Sequence, residues 1–144
     1  RRLVGLLRTS PSTSSGPRLA NIERMIDELR RTHRHARFEA DETVRQRWLP
    51  TELAVTVERL VHETTTNIRK YGDPDGVVVI EVHRRDGAVE FRADNVIGRS
   101  GRADGYGLVG MRERVEALGG TFVAGDDDAG RWTVRVVIPL AVDE

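Results

Sequence analysis

Apolar residues recur at helical spacing in three stretches of the chain and alternate with polar residues in the segments between them. Leu19, Ile22, Met25, Ile26 and Leu29 mark an amphipathic helix over 18–32, and His35 to Ala40 follow as a short strand. Pro50 and Thr51 open a longer helix in which Leu53, Val57, Leu60, Val61, Thr64 and Ile68 form the buried face, closed by Gly72 and Pro74. The runs VVVIEV after Gly76 and VEFRA after Ala88 predict paired strands around Arg85-Asp86-Gly87, because Asp-Gly suits the positive φ angles of a tight hairpin turn. Along the second strand Val89, Phe91 and Ala93 point one way and Glu90, Arg92 and Asp94 the other. A third helix is expected over 108–118, stopped by Gly119-Gly120. Strands over 121–124 and 132–140 complete the pattern, with Pro139 near an end where a missing ladder donor is tolerated. Helices interleaved with antiparallel hairpins predict an α/β fold: a two-layer sandwich of a mixed sheet of about five strands on three helices. No internal repeat interrupts it.

Length and charge narrow the functional classes. At 144 residues the chain has room for one domain with a sizeable core. Lys plus Arg and Asp plus Glu balance at 23 each, so no global basic field draws the protein to nucleic acid or anionic lipid, and any anionic ligand must be held locally. Without cysteine there is no disulfide or thiolate metal site, and His33, His35, His62 and His83 lack the spacing of a zinc site. No apolar run reaches the roughly 20 residues needed to span a bilayer, so the piece reads as soluble, without direct membrane contact. The first residue is Arg1 rather than Met, as expected of a fragment. Leu3, Val4, Leu6 and Leu7 read as the end of a helix entering from upstream over 1–10. The Pro/Ser/Gly-rich stretch 11–17 reads as a linker, leaving 18–144 as the domain.

Two motifs carry candidate chemistry. In HETTTNIRKYG, Glu63, Asn67 and Lys70 share one stripe of the long helix. An Asn oxygen is a neutral hard ligand for Mg²⁺, a nearby carboxylate can order metal-bound water or take a proton, and a lysine can meet phosphate. The same spacing also fits an ordinary solvated helix face. In DNVIGRSGRADGYGLVGM, Asp94 sits at a strand end, where a carboxylate can accept a hydrogen bond from the amine of adenine and repel guanine, or can simply begin a turn. Gly98, Gly101, Gly105, Gly107 and Gly110 fall within thirteen residues and lead into a helix, where glycines and the helix N-terminus admit a polyphosphate. A plain surface loop is the alternative.

The order of these pieces resembles the catalytic and ATP-binding domain of bacterial two-component sensor histidine kinases. These belong to the GHKL superfamily of the Bergerat fold, with the gyrase, MutL-type and chaperone ATPases. The resemblance covers 18–140. HETTTNIRKYG resembles the family's N box, with Glu63, Asn67 and Lys70 at its acidic, Mg²⁺-binding and basic positions. Asp94 matches the adenine-reading Asp of the first glycine box and Gly98 its second glycine, while Gly105, Gly107 and Leu108 match the second glycine box. GLVGMRERVEALGG, from Gly107, is similar to the subfamily that feeds response regulators of the nitrate-sensing type. Val96 departs from the pattern, standing where the family has a glycine. A β-branched residue there resists positive φ, and it is expected to crowd the base and weaken nucleotide binding. Tyr71 stands where the N box often has His, and Arg131 where a glycine is common.

The resemblance implies Mg²⁺-ATP as cofactor and transfer of its γ-phosphate to a histidine outside this fragment, then to a response regulator. Asn67 would hold Mg²⁺, and Glu63 would polarise the attacking group or tune the metal through water. Asn67, Lys70, Asp94, Gly98, Gly105, Gly107 and Leu108 would bind ATP. It also implies a homodimeric parent whose own dimerisation and phosphoacceptor helices lie upstream. The domain is then expected in the cytoplasm, with anchoring of the parent in the bacterial inner membrane left open. An anti-sigma serine kinase, a hydrolysing ATPase and a degenerate partner-binding module on the same fold are the alternatives.

Overall fold

The computed structural model describes residues 15–41, 44, 49–98 and 106–140. In chain order its elements are α1 (Ser15–Arg30), β1 (Ala36–Ala40), α2 (Thr51–Tyr71), β2 (Val78–Arg85), β3 (Ala88–Val96), α3 (Tyr106–Ala117), β4 (Thr121–Asp126) and β5 (Arg131–Pro139). The five strands form one sheet in the order β1-β2-β3-β5-β4. Only β1 and β2 run parallel, as expected of strands joined through a helix, and every other neighbouring pair is antiparallel. The mixed sheet and the three helices found among the described residues match the expected fold class.

Most apolar residues of the strands face the helices. Ile80 and Val82 of β2, Val89 and Phe91 of β3, and Val134, Val136 and Ile138 of β5 are buried together with Ile26 and Leu29 of α1, Leu60 and Val61 of α2, and Val115 of α3. The other face carries Glu81, His83, Glu90, Arg92 and Arg135, so the period-2 alternation has produced a sheet with one packed and one polar face.

Local chemistry sets the boundaries. The β2–β3 turn has positive φ at Asp86 (55°) and Gly87 (76°), the backbone of a hairpin whose twist matches its strands. Helix α2 ends at Gly72, whose N–H donates to the Ile68 carbonyl at 2.8 Å. His33, buried between α1 and β1, brings Nε2 to 3.3 Å from the Gly72 carbonyl and so ties that helix end to the opposite side of the layer. In the β4–β5 loop the Arg131 and Ala129 N–H groups donate to Asp127 Oδ1, which holds its carboxyl below the usual carboxylate range.

Helix α1 begins at Ser15, inside the stretch read as a linker, so that the backbone at Gly16 and Pro17 is already helical. Proline is tolerated there because N–H groups in a first helical turn have no intrahelical acceptor to lose. The helix expected over 1–10 lies outside the described residues, as do Gly101 and Gly105. Among the described residues no helix is long and apolar enough to cross a membrane.

Candidate functional site

At the end of the sandwich where α2 finishes, helix, sheet and the start of α3 line a small open-mouthed cavity. Helix α2 contributes Thr64, Asn67, Ile68 and Tyr71, which recur at three- and four-residue steps and therefore share a face. The sheet contributes Ala93, Asn95, Trp132 and Val134, and Ile97 and Leu108 close the remaining sides. The lining is apolar except at a few polar points, the composition of a small-molecule site. Leu108 lies in the first turn of α3, so the cavity adjoins the end of that helix where free N–H groups and the positive end of the dipole favour an anion.

Asn67 lines the cavity and is half-buried. Glu63 and Lys70, one turn to either side on the same stripe, lie outside the lining, and Lys70 is exposed. This puts a neutral side-chain amide at the wall, with a carboxylate and an ammonium one turn to either side on the helix. Among the described residues no three His, Asp or Glu side chains gather as a self-contained metal site. A cation held here would draw most of its ligands from a bound polyphosphate and water, the usual manner of Mg²⁺.

The structure places Asp94 on the opposite face of the sheet. Its carboxylate is 6% exposed, and Arg92 Nη2 donates to Oδ2 at 2.5 Å while Arg131 Nη2 donates to Oδ1. Arg92 also reaches Glu81 Oε1 at 3.3 Å, so Asp94 belongs to an ion-pair network over the open face. The residue that β3 turns into the cavity is the next one, Asn95, in line with Ala93 and Phe91. The alternation Val89, Phe91, Ala93 extends to position 95 and was the signal that could have found it.

Val96 also differs from expectation. It lies in β3 without positive φ, and its side chain packs over Gly76, where an added Cβ would come within 2.8 Å of Val96 Cβ. It is absent from the cavity lining. Gly98 sits against the end of α2, its N–H donating to the Tyr71 carbonyl at 2.7 Å, and a Cβ there would stand 3.0 Å from the backbone of Gly72. Its missing side chain thus serves the closure of this loop. Gly107 and Leu108 open α3 as expected. Tyr71, Ile97 and Trp132 join the wall without having been singled out as ligand-binding residues.

No protein-family model matches the chain, and no curated protein matches it. Among solved structures it is similar to the histidine kinase domain of the Erythrobacter litoralis EL346 blue-light activated histidine kinase, with a TM-score of 0.67 at 19% identity over 92% of this chain and 65% of that one. The fold is that of histidine kinase catalytic domains. The Acinetobacter baumannii histidine kinase AdeS is similar with a TM-score of 0.65 at 10% identity, covering 88% of this chain and 64% of that one. The catalytic domain of histidine kinase ThkA gives 0.63 at 14% identity, with 85% of this chain and 91% of that domain covered. The chain thus spans just under two thirds of the first two structures and nearly all of the isolated catalytic domain.

Proposed function

We propose that the chain is the ATP-binding catalytic domain of a two-component sensor histidine kinase. The observation that carries this reading is the convergence of Asn67, the end of β3 and the first turn of α3 on one apolar cavity, in a fold shared with histidine kinase catalytic domains. The base enters between α2 and the sheet, and the phosphates lie toward the start of α3 and Lys70. Asn67 would hold Mg²⁺ through its side-chain oxygen, and Glu63, one turn away, would act on the metal through water. Held there, the ion would supply neutralisation of the phosphate charge. A histidine of the upstream helices attacks the γ-phosphorus, the bridging P–O bond breaks and ADP leaves, after which a response regulator takes the phosphoryl group. Positioning and charge neutralisation dominate phosphoryl transfer, which suits a site with few acid–base side chains. The parent is a homodimer, and a nitrate-sensor-type regulator is the partner that the segment from Gly107 to Gly120 favours.

Val96 packs over Gly76 and stands outside the cavity lining, which supports the nucleotide-binding reading over a degenerate partner-binding module. Calorimetric titration with ATP, with and without Mg²⁺, tests the reading. The expected result is binding that is at least about tenfold tighter with the metal, with Asn67→Ala abolishing the metal's contribution. No binding at millimolar Mg²⁺-ATP would overturn it. Release of phosphate from ATP without a histidine-bearing partner would instead identify a hydrolase.

A further inference from the structure

The cavity wall is asymmetric in a way that bears on which base it takes. Asn95 of β3 and Trp132 of β5 are register partners on neighbouring strands, and both line the cavity. Asn95 is 6% exposed, and its Nδ2 donates to the Val96 carbonyl at 2.9 Å. That bond sets the orientation of the amide, since the reversed one would bring two acceptor oxygens together. Oδ1 is left as the acceptor of a side chain that lines the cavity, with no hydrogen bond from any described residue. A buried amide oxygen without a donor is an incomplete arrangement that a ligand N–H completes. Beside it the Trp132 indole supplies an aromatic wall suited to a flat ring.

We propose, resting on the nucleotide-site reading above, that the purine is read by the pair Asn95 and Trp132 and that the neighbouring acid has no part in base recognition. Asn95 Oδ1 accepts a hydrogen bond from the 6-amino group of an adenine nucleotide, and Trp132 packs on the ring. A 6-oxo purine would set its own oxygen against Oδ1 and leave both unpaired, so guanine nucleotides are disfavoured. The reader is a neutral amide, locked by its own backbone. Asp94, satisfied by two arginines on the other face, is a strut between β3 and β5.

The test compares ATP, GTP and purine riboside triphosphate, which lacks the 6-amino group, binding with Mg²⁺ to the whole chain and to Asn95→Leu, Asp94→Asn and Trp132→Phe. In the wild type, ATP is expected to bind roughly tenfold more tightly than either other nucleotide. Asn95→Leu is expected to bind all three alike, at the wild type's weaker level. Asp94→Asn is expected to keep the wild-type ratio. ATP should change the tryptophan emission of the wild type and leave that of Trp132→Phe, which retains Trp48, unchanged. Loss of the ratio in Asp94→Asn, or its retention in Asn95→Leu, overturns the inference while leaving the nucleotide site standing. Equal wild-type affinity for ATP and purine riboside triphosphate overturns it without any variant. No binding of any nucleotide by the wild type overturns the site and the inference together.

Discussion

Asp94 and Asn95 have side chains of nearly the same shape, yet the pleat of β3 sends them to opposite faces of the sheet. Asp94 bonds Arg92 on its own strand and Arg131 on β5, both partly exposed. In Asp94→Asn one amide oxygen still accepts, but the charge is lost and an NH₂ group meets a guanidinium. Urea unfolding is expected to show about 1–2 kcal/mol of destabilisation, with the denaturant slope unchanged. A substitution that harmed nucleotide selectivity without harming stability would contradict this placement. Glu63, Asn67 and Lys70 were legible as one helical stripe because sequence spacing on a helix fixes direction. Asp94 was legible too, since Glu90 and Arg92 mark its face. Its place at a strand end and the resemblance to an acidic motif position assigned it to the ligand, but the strand's alternation had already turned it away. Trp132 gave no such signal, because only its pairing with β3 brings it beside Asn95.

At the scale of elements, the glycines separate by what surrounds them. Gly87 has φ of 76° with open space where a Cβ would stand, so Gly87→Ala tests backbone strain alone and is expected to lower stability by about 1 kcal/mol. Gly110 lies within α3, also with open space around it. Gly110→Ala is therefore expected to raise stability by roughly 0.5–1 kcal/mol, through helix propensity. Opposite signs in chemical denaturation would confirm that the Asp86-Gly87 hairpin depends on positive φ and that the α3 glycine is not needed for packing. Equal signs would contradict it. The hairpin, the long α2 and the Gly119-Gly120 stop were all readable, since each rests on local backbone preference. The start of α1 was not. Pro17 and its serine and glycine neighbours carry the composition of a linker, whereas a first helical turn accepts proline at little penalty.

At the scale of the whole molecule, one core couples the sheet to the three helices and so couples folding to the site. Phe91 is among the largest fully buried side chains and lies in β3 on the strand face that continues to Asn95. Phe91→Ala is expected to lose about 3–5 kcal/mol, a large part of the 5–15 kcal/mol typical of a domain. Mg²⁺-ATP at a hundred times its Kd should restore about 2.7 kcal/mol if the cavity still forms, which a shift in unfolding midpoint would show. A midpoint unmoved by nucleotide would mean that the cavity is lost with the core contact. The sequence by itself determined the elements, the fold class and the stripe bearing Asn67, because hydrophobic period and turn chemistry act over a few neighbouring residues. Tertiary structure alone decided that Trp132 stands beside Asn95, that Val96 covers Gly76 and that Arg131 reaches Asp94. Strand order and register bring these residues together from distant parts of the chain, and no local pattern encodes which strand will lie next to which.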